Sequence, residues 1–242
     1  MRLLSFRIEE RSSFGALIEG RIVDLGKHLP DHPSLRALLE ANALVRALDT
    51  AAEVSAEHRL DEVALLPPVP NPGLLLCTFD DLVSEPVLID PKFLRGDSRQ
   101  LPIPIGAANP LAAGMAMVLS SSGQPDESGR PSVRIAGVTH MAYLSPGSLS
   151  MGPWLVTPDE FDSVDDIEIT VTVGESSMEL SLPSCTQIVE RLYASYELAT
   201  GDTIGVLHYL PDLPLYSGVA IEVSSPEIGS LNNVVLHDAA QP

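Results

Sequence analysis

Two pairs of residues in this chain have side chains whose types could combine to do acid–base chemistry. His140 and Tyr143 lie three residues apart in "RIAGVTHMAYL", and His208 and Tyr209 are adjacent in "TIGVLHYL". A tyrosine hydroxyl and a histidine ring can polarise a carbonyl group and move one proton. Because side chains alternate between the two faces of a strand, His140 and Tyr143 cannot point to the same face.

A second group of polar residues follows a buried-looking strand. The stretch "CTFDDLVSEP" contains Asp80, Asp81 and Glu85, and Cys77 ends the apolar run before them. A solvated acidic surface is the ordinary explanation for the three acids, and a small buried side chain is the ordinary explanation for Cys77.

The elements that position these residues fall into two parts. Three short strands, "LLSFRI", "FGALIEG" and "RIVDL", precede a helix predicted from Pro33 to about Ala52 by the spacing of its apolar residues. The proline-rich connector Leu65–Gly73 cannot continue a helix and predicts a stiff link. We therefore predict a small N-terminal domain over residues 1–66 and a core domain over 67–242.

The second part is predicted to be rich in strands. "LLLCTF", "MAMVL", "RIAGVTHMAYL", "IEITVTV" and "GESSMELSL" favour strands, as do "TGDTIGVL" and the last stretch, "GVAIEVSSPEIGSLNNVVL". Residues 80–100 are predicted to be irregular, and "SSSGQPDESGRPS" is predicted to be a solvated loop. Ser184 followed by Gln187 predicts the start of one helix.

Composition excludes several classes of function. The chain has 14 Lys and Arg against 33 Asp and Glu, a formal net charge of -19, which disfavours nucleic acid and anionic membranes as partners. Two distant cysteines argue against a disulfide framework and favour a reducing, cytoplasmic location. No signal peptide or membrane-spanning run is predicted. The chain also lacks a GxSxG elbow, a P-loop and a dinucleotide fingerprint.

Five stretches in order resemble the fumarylacetoacetate hydrolase family. They are "GALIEGRIVDL" with "SLRALLE", "LLPPVPNPGLLLC", "GPWLVTPDEFDSVDDIEITVTVGE", "ELATGDTIGV" and "VAIEVSSPEIGSLNNVV". The resemblance implies an α+β fold, with a mixed β-sandwich or β-roll core and a small N-terminal α/β domain. It also implies a homodimer acting on a small-molecule substrate.

The chemistry of that family usually needs magnesium or manganese, which prefer carboxylate oxygens. Relatives supply two glutamates from one strand and an aspartate from the next. Placed by the resemblance, the glutamate positions fall at Ala112 and Gly114, and the aspartate position falls at or near Tyr143. Alanine and glycine cannot coordinate a hard cation. We therefore predict no metal cofactor, with Met115 beside the altered positions in an apolar pocket.

The resemblance also places other residues near a substrate. His208 and Tyr209 fall where relatives hold the substrate carboxylate, and Asp80, Asp81 and Glu85 fall in the lid. We therefore predict His140, Tyr143 and His208 as catalytic residues. The predicted substrate-binding residues are Tyr209, Asp80, Asp81, Glu85, Ala112, Gly114 and Met115. Lys92 and Arg95 could steer an anionic ligand or be ordinary surface charges.

Two functions remain open. The first is a metal-independent enzyme that isomerises, cyclises or otherwise rearranges an enolisable, largely apolar intermediate of specialised metabolism. The second is a non-catalytic binding protein or partner subunit. The uniformly apolar stretch "PLAAGMAM" favours a repurposed pocket or a filled core over random decay, and it does not separate these two. We favour the enzyme. If the ligand strands are misplaced, Asp80, Asp81, Glu85 and Asp90 could instead form a displaced metal site.

Overall fold

The computed structural model describes residues 1–80, 85–104, 111–125, 131–144, 147–211, 213 and 215–238. The strands are β1 Arg2–Ile8, β2 Arg11–Ile18, β3 Arg21–Val23, β4 His58–Arg59, β5 Ala64–Leu66, β6 Leu75–Phe79, β7 Val87–Leu88, β8 Leu94–Arg95, β9 Arg99–Pro104, β10 Leu111–Pro125, β11 Pro131–Leu144, β12 Ser148–Val156, β13 Ile169–Val173, β14 Ser176–Leu180, β15 Thr203–Leu210, β16 Ala220–Ser225 and β17 Gly229–Asp238. The helices are α1 Leu25–His28, α2 Leu35–Glu40, α3 Leu44–Glu53 and α4 Cys185–Ser195.

The described strands form two sheets. The larger sheet has the order β4-β3-β2-β1-β12-β11-β10-β15-β6-β7, with β5 added beside β1 and β8 beside β12. The smaller sheet has the order β14-β13-β16-β17-β9. These layers and the few short helices confirm the predicted α+β class. Among the described residues, no helix is both long enough and apolar enough to span a membrane.

The N-terminal strands join the larger sheet. Strand β1 pairs with β12, with Arg2 opposite Val156 and Leu3 opposite Leu155. Strand β5, which ends at Leu66, pairs further along the same edge of β1, and β2 occupies the other edge. The division between residues 66 and 67 stays a prediction. Strands from both sides of this boundary are hydrogen-bonded in the larger sheet.

Two hydrophobic clusters cover the two faces of the larger sheet. Strand β10 contributes to both because its side chains alternate. Ala113, Met115 and Met117 belong to the cluster between the two sheets. Ala112 and Ala116 belong to the cluster that packs under the N-terminal strands and helices. This alternation decides which predicted site residues can share a face.

Three predicted elements need correction. The single helix predicted from Pro33 to Ala52 is two helices, because Asn42 between α2 and α3 has a φ of 53° and cannot continue a helix. Residues 80–100 contain β7, β8 and the start of β9. The predicted loop at "SSSGQPDESGRPS" is shortened because β10 and β11 continue as a hairpin ladder to Pro125 opposite Pro131.

Other predicted elements are confirmed. Strand β13 and strand β14 form the expected hairpin. Helix α4 begins after Ser184, whose hydroxyl accepts a hydrogen bond from the backbone N–H of Gln187 at 3.2 Å. This bond satisfies one of the free N–H groups at the start of the helix.

Candidate functional site

Tyr143, Ala112 and Tyr209 form a row across three neighbouring strands. Ala112 on β10 lies directly opposite Tyr143 on β11 and directly opposite Tyr209 on β15. Both tyrosines are partly buried against the hydrophobic cluster to which Ala112 belongs, and Ala112 is fully buried. The three side chains therefore share the face of the larger sheet that packs under the N-terminal region.

Phe79 completes an aromatic wall with the two tyrosines. Its ring stacks on Tyr209 with the ring centroids 4.8 Å apart and an interplanar angle of 15°. The Tyr143 ring lies 5.7 Å from Phe79 at 52°. Phe79 has no chemical signal in the sequence and could have been found only as the last residue of β6 before the acidic stretch. Offset-stacked and tilted rings of this kind stabilise one another and hold each ring in place.

The phenol of Tyr209 is held in its neutral form. Burial raises its pKa above the ordinary value of 10.0, and the nearby Tyr143, Asp80 and Cys77 add to the rise because their anionic forms repel a phenolate. At physiological pH the Tyr209 hydroxyl is therefore a hydrogen-bond donor. Two phenols on one face can donate to a single oxygen atom on which negative charge develops.

Asp80 organises the end of β6 and β15. Its carboxylate accepts the backbone N–H of Tyr209 at 2.8 Å and lies 2.9 Å from Nδ1 of His208. Asp80 has a φ of 62°, and its own N–H donates to the carbonyl of Leu207 at 2.9 Å. The predicted residues Asp80 and His208 are thus brought together as a carboxylate–imidazole pair.

His208 and the two tyrosines belong to different faces. Leu207 and Tyr209 pack with the N-terminal cluster, whereas Val206 and Leu210 lie in the cluster between the sheets. By alternation His208 projects on the second of these faces. The histidine side chain is 41% exposed and that of Asp80 is 40% exposed, so the pair lies at the rim of the sheet.

Part of the chain is similar to a known protein family. Residues 127–236 match the family model described as fumarylacetoacetate (FAA) hydrolase C-terminal. These residues are thus similar to the C-terminal domain of that family. A search of curated protein sequences found no match.

Solved structures share the fold over the whole chain. A maleylpyruvate hydrolase from Sphingobium sp. SYK-6, in complex with manganese(II) and pyruvate, has a TM-score of 0.79 and 17% identity, covering 98% of this chain and 99% of that one. A 5-carboxymethyl-2-hydroxymuconate delta-isomerase from Mycobacterium smegmatis has a TM-score of 0.68 and 18% identity, covering 98% and 100%. A 2-hydroxyhepta-2,4-diene-1,7-dioate isomerase from Mycobacterium marinum has a TM-score of 0.67 and 18% identity, covering 99% and 100%.

The residues at the altered positions do not fit a hard divalent cation. Ala112 offers no oxygen ligand, and at Gly114 an added Cβ would lie 2.2 Å from the carbonyl oxygen of Val206 and 3.2 Å from Cα of Leu207. Strand β15 therefore leaves no room for any side chain at Gly114. Within the described part of the chain, no group of three or more His, Cys, Asp or Glu residues is arranged to hold a metal ion.

His140 and Met115 lie away from the tyrosine row. They are opposite each other on β10 and β11, on the face between the two sheets. Nε2 of His140 lies 3.1 Å from the carbonyl oxygen of Gly229 and 3.3 Å from the hydroxyl of Ser225. Burial lowers the pKa of His140 to about 4, so it is neutral at physiological pH. The structure does not bring either residue to the candidate site.

The remaining predicted residues have simpler surroundings. Asp81 lies outside the described residues, and Glu85 is exposed. Cys77 is buried beneath the aromatic wall, where its sulfur lies 3.8 Å from that of Met141, and burial raises its pKa to about 12. Asp90 accepts the backbone N–H of Lys92 and forms an ion pair with its ammonium group at 2.6 Å. The Asp90 carboxylate is thus already engaged.

Proposed function

We propose that this protein is an enzyme that isomerises or cyclises an enolisable, largely apolar carbonyl compound without a resident metal ion. The observation that carries the proposal is the row of Tyr143, Ala112 and Tyr209. By the resemblance, Ala112 and Tyr143 fall at carboxylate-ligand positions and Tyr209 falls where relatives hold the substrate carboxylate. In this proposal the two phenols polarise the substrate oxygen in place of a cation. Two isomerases and a hydrolase among the structural neighbours support an enzymatic role for this fold.

The two phenols have the donating role. A neutral phenol can donate a hydrogen bond to a substrate carbonyl and strengthen that bond as the oxygen becomes an enolate. The raised pKa of Tyr209 keeps this donor protonated through the physiological range. The aromatic wall with Phe79 excludes water from one side of the bound compound, which strengthens the same hydrogen bonds.

The His208–Asp80 pair has the proton-transfer role. When the ring proton of His208 is on Nδ1, the N–H donates a hydrogen bond to the Asp80 carboxylate. The lone pair of Nε2 is then free to act as a general base. Asp80 also holds the backbone N–H of Tyr209, so the pair and the phenol are fixed relative to each other. The substrate must lie across the rim of the sheet to contact both the tyrosines and His208. The variant His208→Gln tests this requirement separately.

One observation favours the second function, a non-catalytic relative. Ala112 is fully buried beneath the two partly buried tyrosines, as in a core where large rings fill the volume left by deleted ligands. In that account the tyrosine hydroxyls bind nothing, and the protein acts as a binding protein or a partner subunit. Assembly as a homodimer is part of our proposal and is compatible with both functions.

Exchange of α-hydrogens for deuterium tests the enzyme directly, because it detects enolisation without knowledge of the product. We expect the wild-type protein to accelerate hydrogen–deuterium exchange in neutral β-diketones, and proton NMR measures the rate of this exchange. The double variant Tyr143→Phe with Tyr209→Phe should lose about 100-fold of that acceleration. His208→Gln should lose a similar factor if the imidazole is the base.

The matched control is Tyr216→Phe, which removes the same hydroxyl from an exposed tyrosine on another part of the surface. Equal exchange rates for the double variant and this control would overturn the roles given to Tyr143 and Tyr209. Absence of exchange with any diketone, together with stable folding, would favour the non-catalytic function.

A further inference from the structure

The surroundings of the aromatic wall are informative about ligand charge. Asp80 directly follows Phe79, and its carboxylate is hydrogen-bonded to the backbone of Tyr209. The carboxylate is close enough to the Tyr209 phenol to contribute to the rise in its pKa. A second negative charge placed on the wall would meet the same repulsion.

The basic side chains predicted to steer an anion are directed elsewhere. The ammonium group of Lys92 binds Asp90 at 2.6 Å and lies 4.8 Å from the ring centroid of Phe93. The guanidinium of Arg95 donates to the carbonyl oxygens of Lys92 at 2.7 Å and Leu94 at 3.2 Å. Both cations are therefore engaged within their own turn.

Two stretches next to the site residues in sequence contain no basic residue, and the imidazole of His208 is paired with Asp80 itself. Residues 81–84 follow Asp80 and residues 105–110 precede β10, and neither stretch contains Lys, Arg or His. The wall itself consists of aromatic rings and small apolar residues. Rings of this kind bind a flat, conjugated ligand by stacking, and this binding needs no charge on the ligand.

We infer that the site selects an uncharged, planar, conjugated carbonyl compound and rejects the corresponding carboxylate. The inference rests on the proposed function for the location of the site and extends it to the class of substrate. In this inference Asp80 discriminates against anionic ligands by repelling them, and it does not add an attraction to neutral ligands. It makes Phe79 the stacking platform.

Two probes that differ in one group test the inference. 1-Phenylbutane-1,3-dione is a neutral, enolisable β-diketone, and 2,4-dioxo-4-phenylbutanoate has a carboxylate in place of its terminal methyl group. Affinities measured by isothermal titration calorimetry in the presence of a chelator should favour the diketone by at least about tenfold. Asp80→Asn retains an oxygen for the Tyr209 N–H but removes the charge, and should reduce this ratio about fivefold.

Two further variants complete the design. Asp49→Asn removes an exposed carboxylate on α3 and should leave the ratio unchanged. Phe79→Leu should weaken binding of the diketone about fivefold through loss of stacking. Equal or tighter binding of the carboxylate by the wild type, saturable binding of neither probe, or an unchanged ratio in Asp80→Asn would overturn the inference. Selective binding of the diketone without α-hydrogen exchange would overturn the proposed function and leave the inference standing.

Discussion

Ala112 on β10 lies directly opposite Tyr209 on β15, and its methyl group is fully buried. On its other side the same alanine lies opposite Tyr143. One small residue thus lets two aromatic rings approach from neighbouring strands on one face of the sheet. The altered ligand position and the candidate hydrogen-bond donors are parts of the same local arrangement.

The first prediction concerns the close approach of β10 and β15. Gly114→Ala should destabilise the protein by about 1–3 kcal/mol, because the new Cβ must displace the Val206 carbonyl 2.2 Å away. Denaturant-induced unfolding measures this free energy. Ala116→Gly, on the same strand and face, is the control and should cost only about 0.5–1 kcal/mol. If Gly114→Ala is as stable as the wild type, β15 can move and residue 114 has room for a side chain.

The second prediction concerns the titration of Tyr209. Its phenolate should form above the ordinary value of 10.0, because burial and the nearby Tyr143 and Asp80 disfavour the charged form. The difference in ultraviolet absorbance between the wild type and Tyr209→Phe isolates this group during an alkaline titration. In Asp80→Asn the same difference should appear at lower pH. A Tyr209 that titrates at or below its ordinary value would contradict its role as a neutral donor.

The third prediction concerns acid stability in the N-terminal region. Asp24 is fully buried, and burial acts to raise its pKa, but hydrogen bonds from Arg11 and Ser13 outweigh this effect and lower the pKa below 3.8. Because the folded-state pKa is depressed, the carboxylate stabilises the protein above its ordinary pKa. This contribution is lost as the pH falls through 3.8 and below.

Asp24→Asn should remove this pH dependence and lower stability at neutral pH by about 2–3 kcal/mol. Thermal unfolding between pH 7 and pH 3 is the measurement for both proteins. Asp31→Asn, at an exposed position in the same region, is the control and should follow the wild-type profile. Parallel profiles for Asp24→Asn and the wild type would show that Asp24 is not the responsible group.

Much of this arrangement follows from strand periodicity in the sequence. Alternation already separates His140 from Tyr143 and puts Ala112 and Gly114 on one face, and the structure shows both relationships. The register between β10, β11 and β15 comes from long-range pairing, so the sequence alone could not place Ala112 between two tyrosines. Alternation alone also puts Met115 on the face opposite Ala112 and Gly114, and in the structure it packs in the other hydrophobic cluster.

Other features depend on backbone details that periodicity does not encode. The φ of 53° at Asn42 divides a stretch whose leucine spacing favours one continuous helix. The contact between Asp80 and His208 depends on the parallel pairing of β6 with β15, which are more than a hundred residues apart. The stacking of Phe79 on Tyr209 arises from that same pairing. Predicting such contacts requires the order of strands in the sheet.

The most direct measurement is the metal dependence of α-hydrogen exchange. Protein passed over a chelating resin would first be analysed for bound metal, and exchange in 1-phenylbutane-1,3-dione would then be followed by proton NMR with and without added Mn²⁺. Our account predicts the same accelerated rate in both samples. Exchange that is absent from the metal-free protein and restored by stoichiometric Mn²⁺ would contradict it, and would show that residues other than Ala112 and Gly114 have rebuilt a cation site.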